Sequence, residues 1–281
     1  MDISSDKIRE LRERTGVGMG KCKEALVLAG GDMEKAIDIL RKAGMAAGVK
    51  KEGRETKEGL ILAKESKDLL VMVEANAETD FVAQNDRFKA FVDDVAQQAL
   101  ETKPKSLDEF LLQPYKKDPS ITIEQYRNLV IQALGENIQL RRLEMVHKHP
   151  NNSYGIYSHL GGKLVVVVDL EGALGQEAIA KEIAMHVAAE NPDYLRPEEI
   201  PAQIREREEE IARSQVEGKP ANIADKIVAG KINSFYDQAC LLRQKYVKDN
   251  ALTVEQFLSQ QSKNVGKSLS VRCFWRWRVG Q

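Results

Sequence analysis

The chain has 281 residues, 42% of them hydrophobic and 30% charged, with a formal net charge of −1. These values describe a globular chain of two or three domains and exclude the basic excess needed to grip nucleic acid over a whole surface. No stretch approaches the roughly 20 apolar residues of a membrane helix, and Met1-Asp2-Ile3-Ser4-Ser5-Asp6 is too polar for a signal peptide, so a cytoplasmic chain is expected. Cys22, Cys240 and Cys273 are scattered and lack a CxxC pair, and they read as reduced thiols rather than a disulfide framework or zinc knuckle.

Between Lys7 and Ala43, apolar residues three and four apart predict three short helices: Ile8/Leu11, then Met19/Cys22/Ala25/Leu26/Ala29, then Ala36/Ile37/Leu40/Ala43. Thr15-Gly16-Val17-Gly18 breaks the first junction, and Gly30-Gly31 ends the second helix before Asp32, a ready N-cap. Residues 1–45 are therefore expected as a three-helix module. The run from Thr15 to Cys22 superficially suggests a phosphate-binding loop, but it starts with Thr, has Cys22 at the magnesium-binding hydroxyl position and comes after a helical pattern instead of a strand. Its glycines are better explained by a helix-to-helix turn. Residues 46–58 are charged and glycine-flanked with no apolar period, which predicts an exposed linker.

Beyond Gly59 two apolar runs, to Leu62 and from Leu69 to Val73, predict a pair of strands. They lead into Glu78-Thr79-Asp80-Phe81-Val82-Ala83. Thr79 or Asp80 can cap a helix there, with Phe81 either packed in the core beside Val82 and Phe88 or displayed outward. Because Phe88, Phe91, Val92 and Val95 already form an apolar face, and Asn85-Asp86 offers a separate cap, Asp80-Phe81 can stand as a short turn of its own.

The chain then repeats itself. The sixteen residues from Leu111 to Tyr126 align without a gap with those from Leu242 to Phe257, eight of them identical, and the register continues through Gly135 over Gly266 and Arg141 over Arg272. Upstream, the strand pair after Gly59 parallels Gly155–Ser158 and Leu164–Val168. The expected fold is α+β, a duplicated core of halves 59–149 and 150–281, each running strand, strand, helices, strand. The second half is 35 residues longer between matching glycines. Residues 198–232 hold that excess as a projecting antiparallel helical hairpin, with Ile204, Ile211 and Val216 as its thin apolar stripe.

Nothing in the sequence resembles an enzyme site. His147 and His149 lie at a strand end, His159 precedes Leu160-Gly161-Gly162, and His186 sits within a helix as an interior imidazole; no nucleophile has a recognisable partner. The C-terminal Cys273-Phe274-Trp275-Arg276-Trp277-Arg278 could stack on single-stranded nucleic acid. Its alternation instead predicts a half-buried strand, with Val271, Cys273, Trp275, Trp277 and Val279 on one face.

Leu11-Arg12-Glu13-Arg14-Thr15-Gly16-Val17-Gly18-Met19, Glu78-Thr79-Asp80-Phe81-Val82-Ala83, Gly135-Glu136-Asn137-Ile138, Met185-His186-Val187-Ala188-Ala189 and Gly218-Lys219-Pro220 occur in one order. Together they resemble the bacterial elongation factor Ts family from end to end. The resemblance implies that the N-terminal module is ubiquitin-associated-like and that the chain is a nucleotide exchange factor without covalent chemistry. Its implied partner is elongation factor Tu, GDP-bound and nucleotide-free, and Thr79, Asp80, Phe81 and Val82 would disturb that partner's Mg2+/phosphate site. Arg12, Met19 and Lys23 would meet the partner's GTPase domain, and His159, Gly161 and Gly162 a second domain. No cofactor, direct nucleotide contact, membrane or nucleic acid is implied, and homodimerisation of the complex is left open. Two departures stand out: Gly20 replaces a second Met common in relatives, and the C-terminal run is unusually aromatic and basic. An adaptor binding a ubiquitin-like or nascent-chain partner through the three-helix module is the competing expectation.

Overall fold

The computed structural model describes residues 3–281. The chain is mixed α/β, with an N-terminal helical region and antiparallel sheets. It divides into two compact units: residues up to Lys148 with 160–163 and 278–281, and residues 149–159 with 164–277.

The first unit opens with α1 (Ser5–Thr15), α2 (Met19–Leu28) and α3 (Met33–Lys51). Gly16 stops α1 at φ 65°, a conformation that costs a residue with a Cβ, and the Asp32 carboxylate accepts the Lys35 N–H at 3.0 Å to start α3. Leu11, Val17, Cys22, Leu26, Ala36 and Leu40 close a small core between them. Met19, assigned to the apolar face by its spacing, heads α2 on the outside. The expected linker needs correction as well, because α3 continues to Lys51. Gly44 and Gly48 are buried, Gly44 facing Leu129 and Gln132 and Gly48 facing Asn128. Close approach through glycine leaves no apolar period to read.

Then come β1 (Glu58–Glu65), β2 (Leu69–Ala77), α4 (Asp80–Ala83), α5 (Asp86–Thr102), α6 (Leu107–Leu112), β3 (Pro114–Tyr115), β4 (Asp118–Thr122), α7 (Ile123–Leu134) and β5 (Ile138–His147). The main sheet has the order β1-β2-β5, with Ala77 opposite both Glu58 and Ile138. Every residue of β2 is buried. Phe88, Phe91, Val92 and Val95 of α5 pack in one core with Leu69, Val71 and Val73. β2 also carries a wholly buried carboxylate, Glu74, which accepts from Arg142 Nε at 2.6 Å, Gly280 N–H at 2.9 Å and Asn76 Nδ2 at 3.0 Å. The β3-β4 ribbon was not foreseen, since strands this short carry no periodicity.

The second unit contains β6 (Ser153–His159), β7 (Leu164–Glu171), α8 (Glu177–Glu190), α9 (Ala202–Ser214), α10 (Ala221–Ala239), β8 (Lys245–Tyr246), β9 (Asp249–Thr253), α11 (Val254–Val265) and β10 (Ser270–Arg278). Its sheet order is β6-β7-β10. Val166, Val168 and Leu170 of β7 pack with Ile183, Ala184 and Val187 of α8. The buried Asp169 accepts from Arg272 Nε at 2.6 Å, Asn152 Nδ2 at 2.7 Å and the Tyr154 hydroxyl at 3.1 Å. Arg272 is thereby engaged with the sheet, and the C-terminal run is a strand, as its alternation predicts.

The α9–α10 hairpin packs differently from expectation. Ala212, Val216 and Val228 form its seam with Ala224, Ile227 and Ile232, whereas Ile204 and Ile211 are exposed. Val216 and, on the return helix, Ile227, Val228 and Ile232 pack as their spacing suggests, whereas Ile204 and Ile211 of α9 lie off the seam. The return helix also runs on to Ala239, past the expected end.

His186 lies buried within α8. Its Nε2 faces Gln244 Oε1 at 3.0 Å, and its Nδ1 accepts the Val247 N–H at 3.1 Å, an arrangement that suits the neutral Nε2–H tautomer. Burial lowers its pKa from the ordinary value of 6.5, against the raising influence of Gln244 and Glu190.

Stability measurements can check both the packing at a glycine and the burial of this imidazole. A Cβ at Gly155 on β6 would overlap the α8 backbone at Ala180 and Lys181, whereas one at Gly20 on α2 meets nothing within 4 Å. Gly155→Ala is expected to destabilise by about 3 kcal/mol and Gly20→Ala to stabilise by up to about 1 kcal/mol, read as shifts of the urea midpoint at constant m. For His186, the unfolded imidazole protonates more readily than the native one. Its contribution is therefore complete above pH 6.5 and is lost as pH falls through that value, levelling off below the depressed native pKa. His186→Gln should flatten the stability–pH curve as pH falls through 6.5; an unchanged slope would assign it to other groups.

Candidate protein-interaction site

Where β2 ends, the sheet ladder stops at Ala77 and the chain turns at Glu78-Thr79. Thr79 is extended, at φ −126° and ψ 158°, and its hydroxyl accepts the Val82 N–H at 3.4 Å, giving α4 its cap. One turn later Gln84 N–H closes on Asp80 O at 2.9 Å, and Asn85 caps α5 by accepting the Arg87 N–H at 2.9 Å. A helical rotation of about 100° per residue then separates the four side chains of α4. Val82 and Ala83 turn into the core, while Asp80 and Phe81 turn outward, Phe81 being 85% exposed. Of the sequence-predicted group, Val82 is thus an anchor of the turn, and Asp80 with Phe81 forms its outward surface.

A lone exposed apolar side chain is ordinary on a protein surface. What distinguishes Phe81 is the way its turn is held. Glu136, between α7 and β5, accepts the Thr79 N–H at 3.0 Å on one carboxylate oxygen and the Thr79 hydroxyl at 2.7 Å on the other. In the opposite direction Glu78 accepts the Asn137 N–H at 2.6 Å and Arg54 Nη1 at 3.4 Å. The Asn137 side-chain amide donates in turn to Arg54 O at 2.9 Å and Glu52 O at 3.4 Å, tying in the segment just beyond α3. Burial pushes the nearby Lys51 ammonium to a lower pKa, with Arg54 adding to the shift and Glu78 and Glu136 opposing it.

The other expected contact residues lie on separate elements. Arg12 is exposed on α1; Met19 and Lys23, four apart, share an exposed face of α2. His159 ends β6 with Nδ1 at 3.0 Å from the Tyr157 hydroxyl. Gly161 and Gly162 come next at φ 65° and 92°, preceded by Leu160 at φ 50° with its side chain 72% exposed. Gly162 itself is buried, facing Leu60 and Ile61 O, where a Cβ would not fit. Sequence reasoning missed the roles of Glu78 and Glu136. The acid after Gly135 was visible, but its pairing with Thr79 across 57 positions of sequence was not.

Among the described residues, no group of three or more His, Cys, Asp or Glu is placed to hold a metal ion, and no helix is long and apolar enough to cross a membrane. A capped, clasped turn presents an acid and an aromatic ring outward, an arrangement suited to the class of proteins that work by surface contact. Sequence relatives narrow that class. The family model described as Elongation factor TS matches residues 78–281. Elongation factor Ts of Protochlamydia amoebophila is 58% identical over 274 residues, spanning 98% of this chain and 97% of the relative. The proteins of the same name from Chlamydia caviae and Chlamydia trachomatis serovar D are 42% and 41% identical over 279 residues, spanning 99% of each chain. The chain belongs to the elongation factor Ts family, a family of translation elongation factors.

Proposed function

We propose that the chain is the nucleotide exchange factor of elongation factor Tu, in the cytoplasm. It binds the GDP-bound partner, promotes release of GDP and leaves a nucleotide-free complex that GTP can reload. The observation carrying this reading is the outward Phe81 on its fixed turn, in a chain whose relatives are elongation factors Ts over nearly their whole length. Asp80 and Phe81 enter the partner near its Mg2+/phosphate site, and the ring displaces partner side chains there. A bound divalent cation is often the largest local charge at a phosphate site, so disturbing its ligands weakens the nucleotide strongly. Linkage sets the size of the effect: a factor that prefers the nucleotide-free partner must weaken GDP by the same free energy. No covalent step is involved, and the chain itself holds neither nucleotide nor cofactor.

In this reading the N-terminal helices are a ubiquitin-associated-like module that meets the partner's GTPase domain through Arg12, Met19 and Lys23. His159, Gly161 and Gly162 meet a second partner domain, supported by the exposure of His159 and Leu160. Residues 59–149 and 150–281 are duplicated halves, with 198–232 inserted in the second. Supporting the duplication, α7 and α11 both begin with a capping box, Thr122 with Gln125 and Thr253 with Gln256, and both end at a left-handed glycine, Gly135 and Gly266.

The test is release of a fluorescent GDP analogue from elongation factor Tu in excess magnesium. The wild-type chain accelerates release, and Phe81→Ala reduces that acceleration by about tenfold or more, the scale of removing a buried aromatic contact, with its thermal midpoint unchanged. Equal acceleration by both proteins would remove Phe81 from the mechanism; none by either would remove the exchange reading.

A further inference from the structure

α4 is one turn of four residues, too short to hold its own geometry, since an isolated helix needs roughly 12–15 residues to be even marginal in water. The ring of Phe81 gains nothing from the core, so its direction depends entirely on the backbone beneath it. Three constraints act there: Val82 and Ala83 are buried, Thr79 caps the turn, and Glu136 grips Thr79. The last has a geometry the others lack. One carboxylate bonds both the N–H and the hydroxyl of a single residue, which fixes that residue's position and its rotation, whereas a single bond would leave a pivot. By accepting the hydroxyl's hydrogen bond, Glu136 also leaves a Thr79 oxygen lone pair free to accept the Val82 N–H. The carboxylate itself is firmly based, because Gly135 closes α7 at φ 85° and Ile138 is already paired with Ala77 in the sheet.

We propose that Glu136 is a positioning residue for Phe81: its two-point grip on Thr79 sets the angle at which α4 presents the ring to the partner. The inference rests on the reading that Phe81 acts on the partner's nucleotide site. Glu78, bonded to Asn137 in the opposite direction, holds the same junction and closes the clasp. Glu136 touches no partner group in this scheme; it acts through Thr79 alone.

A purely structural role would make the same hydrogen bonds, so the experiment is a double-substitution cycle on the full chain. GDP-analogue release from the partner is measured with wild type, Glu136→Ala, Phe81→Ala and the double variant, alongside thermal midpoints. Glu136→Ala is expected to slow accelerated release by about tenfold, the scale of losing charge-assisted hydrogen bonds, while adding nothing in the Phe81→Ala background. Glu136→Gln keeps one acceptor for Thr79 and should fall between; it carries the same comparison should the alanine variant fail to fold. In the free chain, amide exchange at Thr79 and Val82 should quicken by at least about tenfold in Glu136→Ala. Equal slowing in both backgrounds, no slowing, or unchanged exchange at these amides would each overturn the proposal while leaving a Phe81 effect intact. If Phe81→Ala itself released GDP as fast as wild type, the exchange reading at Phe81 would fall and this inference with it.

Discussion

A strand buried along its whole length cannot end with its polar backbone groups unpaired, and β2 is such a strand. Both neighbours pair with it as far as Ala77 and no farther. From Glu78 onward the ladder's hydrogen bonds have to be replaced. Thr79 N–H finds Glu136, Asn137 N–H finds Glu78, and the Thr79 hydroxyl caps α4. Replacing ladder bonds with side chains from two distant stretches of sequence makes the strand end a rigid corner. The helical turn beyond it has no choice about which residues point away from the core.

Each unit buries one carboxylate in the middle strand of its sheet, and each carboxylate is fully engaged. Glu74 has Arg142, Asn76 and the Gly280 N–H; Asp169 has Arg272, Asn152 and Tyr154. Taking such ions from water costs several kcal/mol apiece, which good geometry offsets without much surplus. Their effect is therefore on arrangement more than on net stability. A slip of one residue in either sheet would turn the acid away from its arginine and expose the opposite face.

The proposed contact residues have the reverse character. Phe81, Leu160 and Met19 are apolar and exposed, ordinary on a surface when taken singly, and their apolar area would leave water only against a partner. Among the described residues, the one buried imidazole, His186, has both ring nitrogens engaged inside the second unit. Rigid cores supply fixed platforms, and the proposed contact side chains are carried at their turns and ends.

Local sequence determined much of this. Periodicity located the long strands and the faces of α1 and α5, and most of that of α2; Asp32, Asn85 and the glycines marked caps; and the charged run after Glu198 marked a pair of helices joined at Gly218. These signals are legible because they depend on neighbours within about four residues or on alternation along a single strand. Whether Phe81 faced the core or the solvent was not decided by spacing, since both arrangements satisfy the same pattern. The continuation of α3 through Gly44 and Gly48, the exposure of Ile204 and Ile211 on α9, and the grip of Glu136 on Thr79 were likewise hidden. All of them depend on what lies opposite in space: a glycine is informative only when a neighbouring helix presses on it, and a carboxylate only when the donors it will meet have been brought to it. Tertiary structure decided those partners, and with them the direction of the exposed ring.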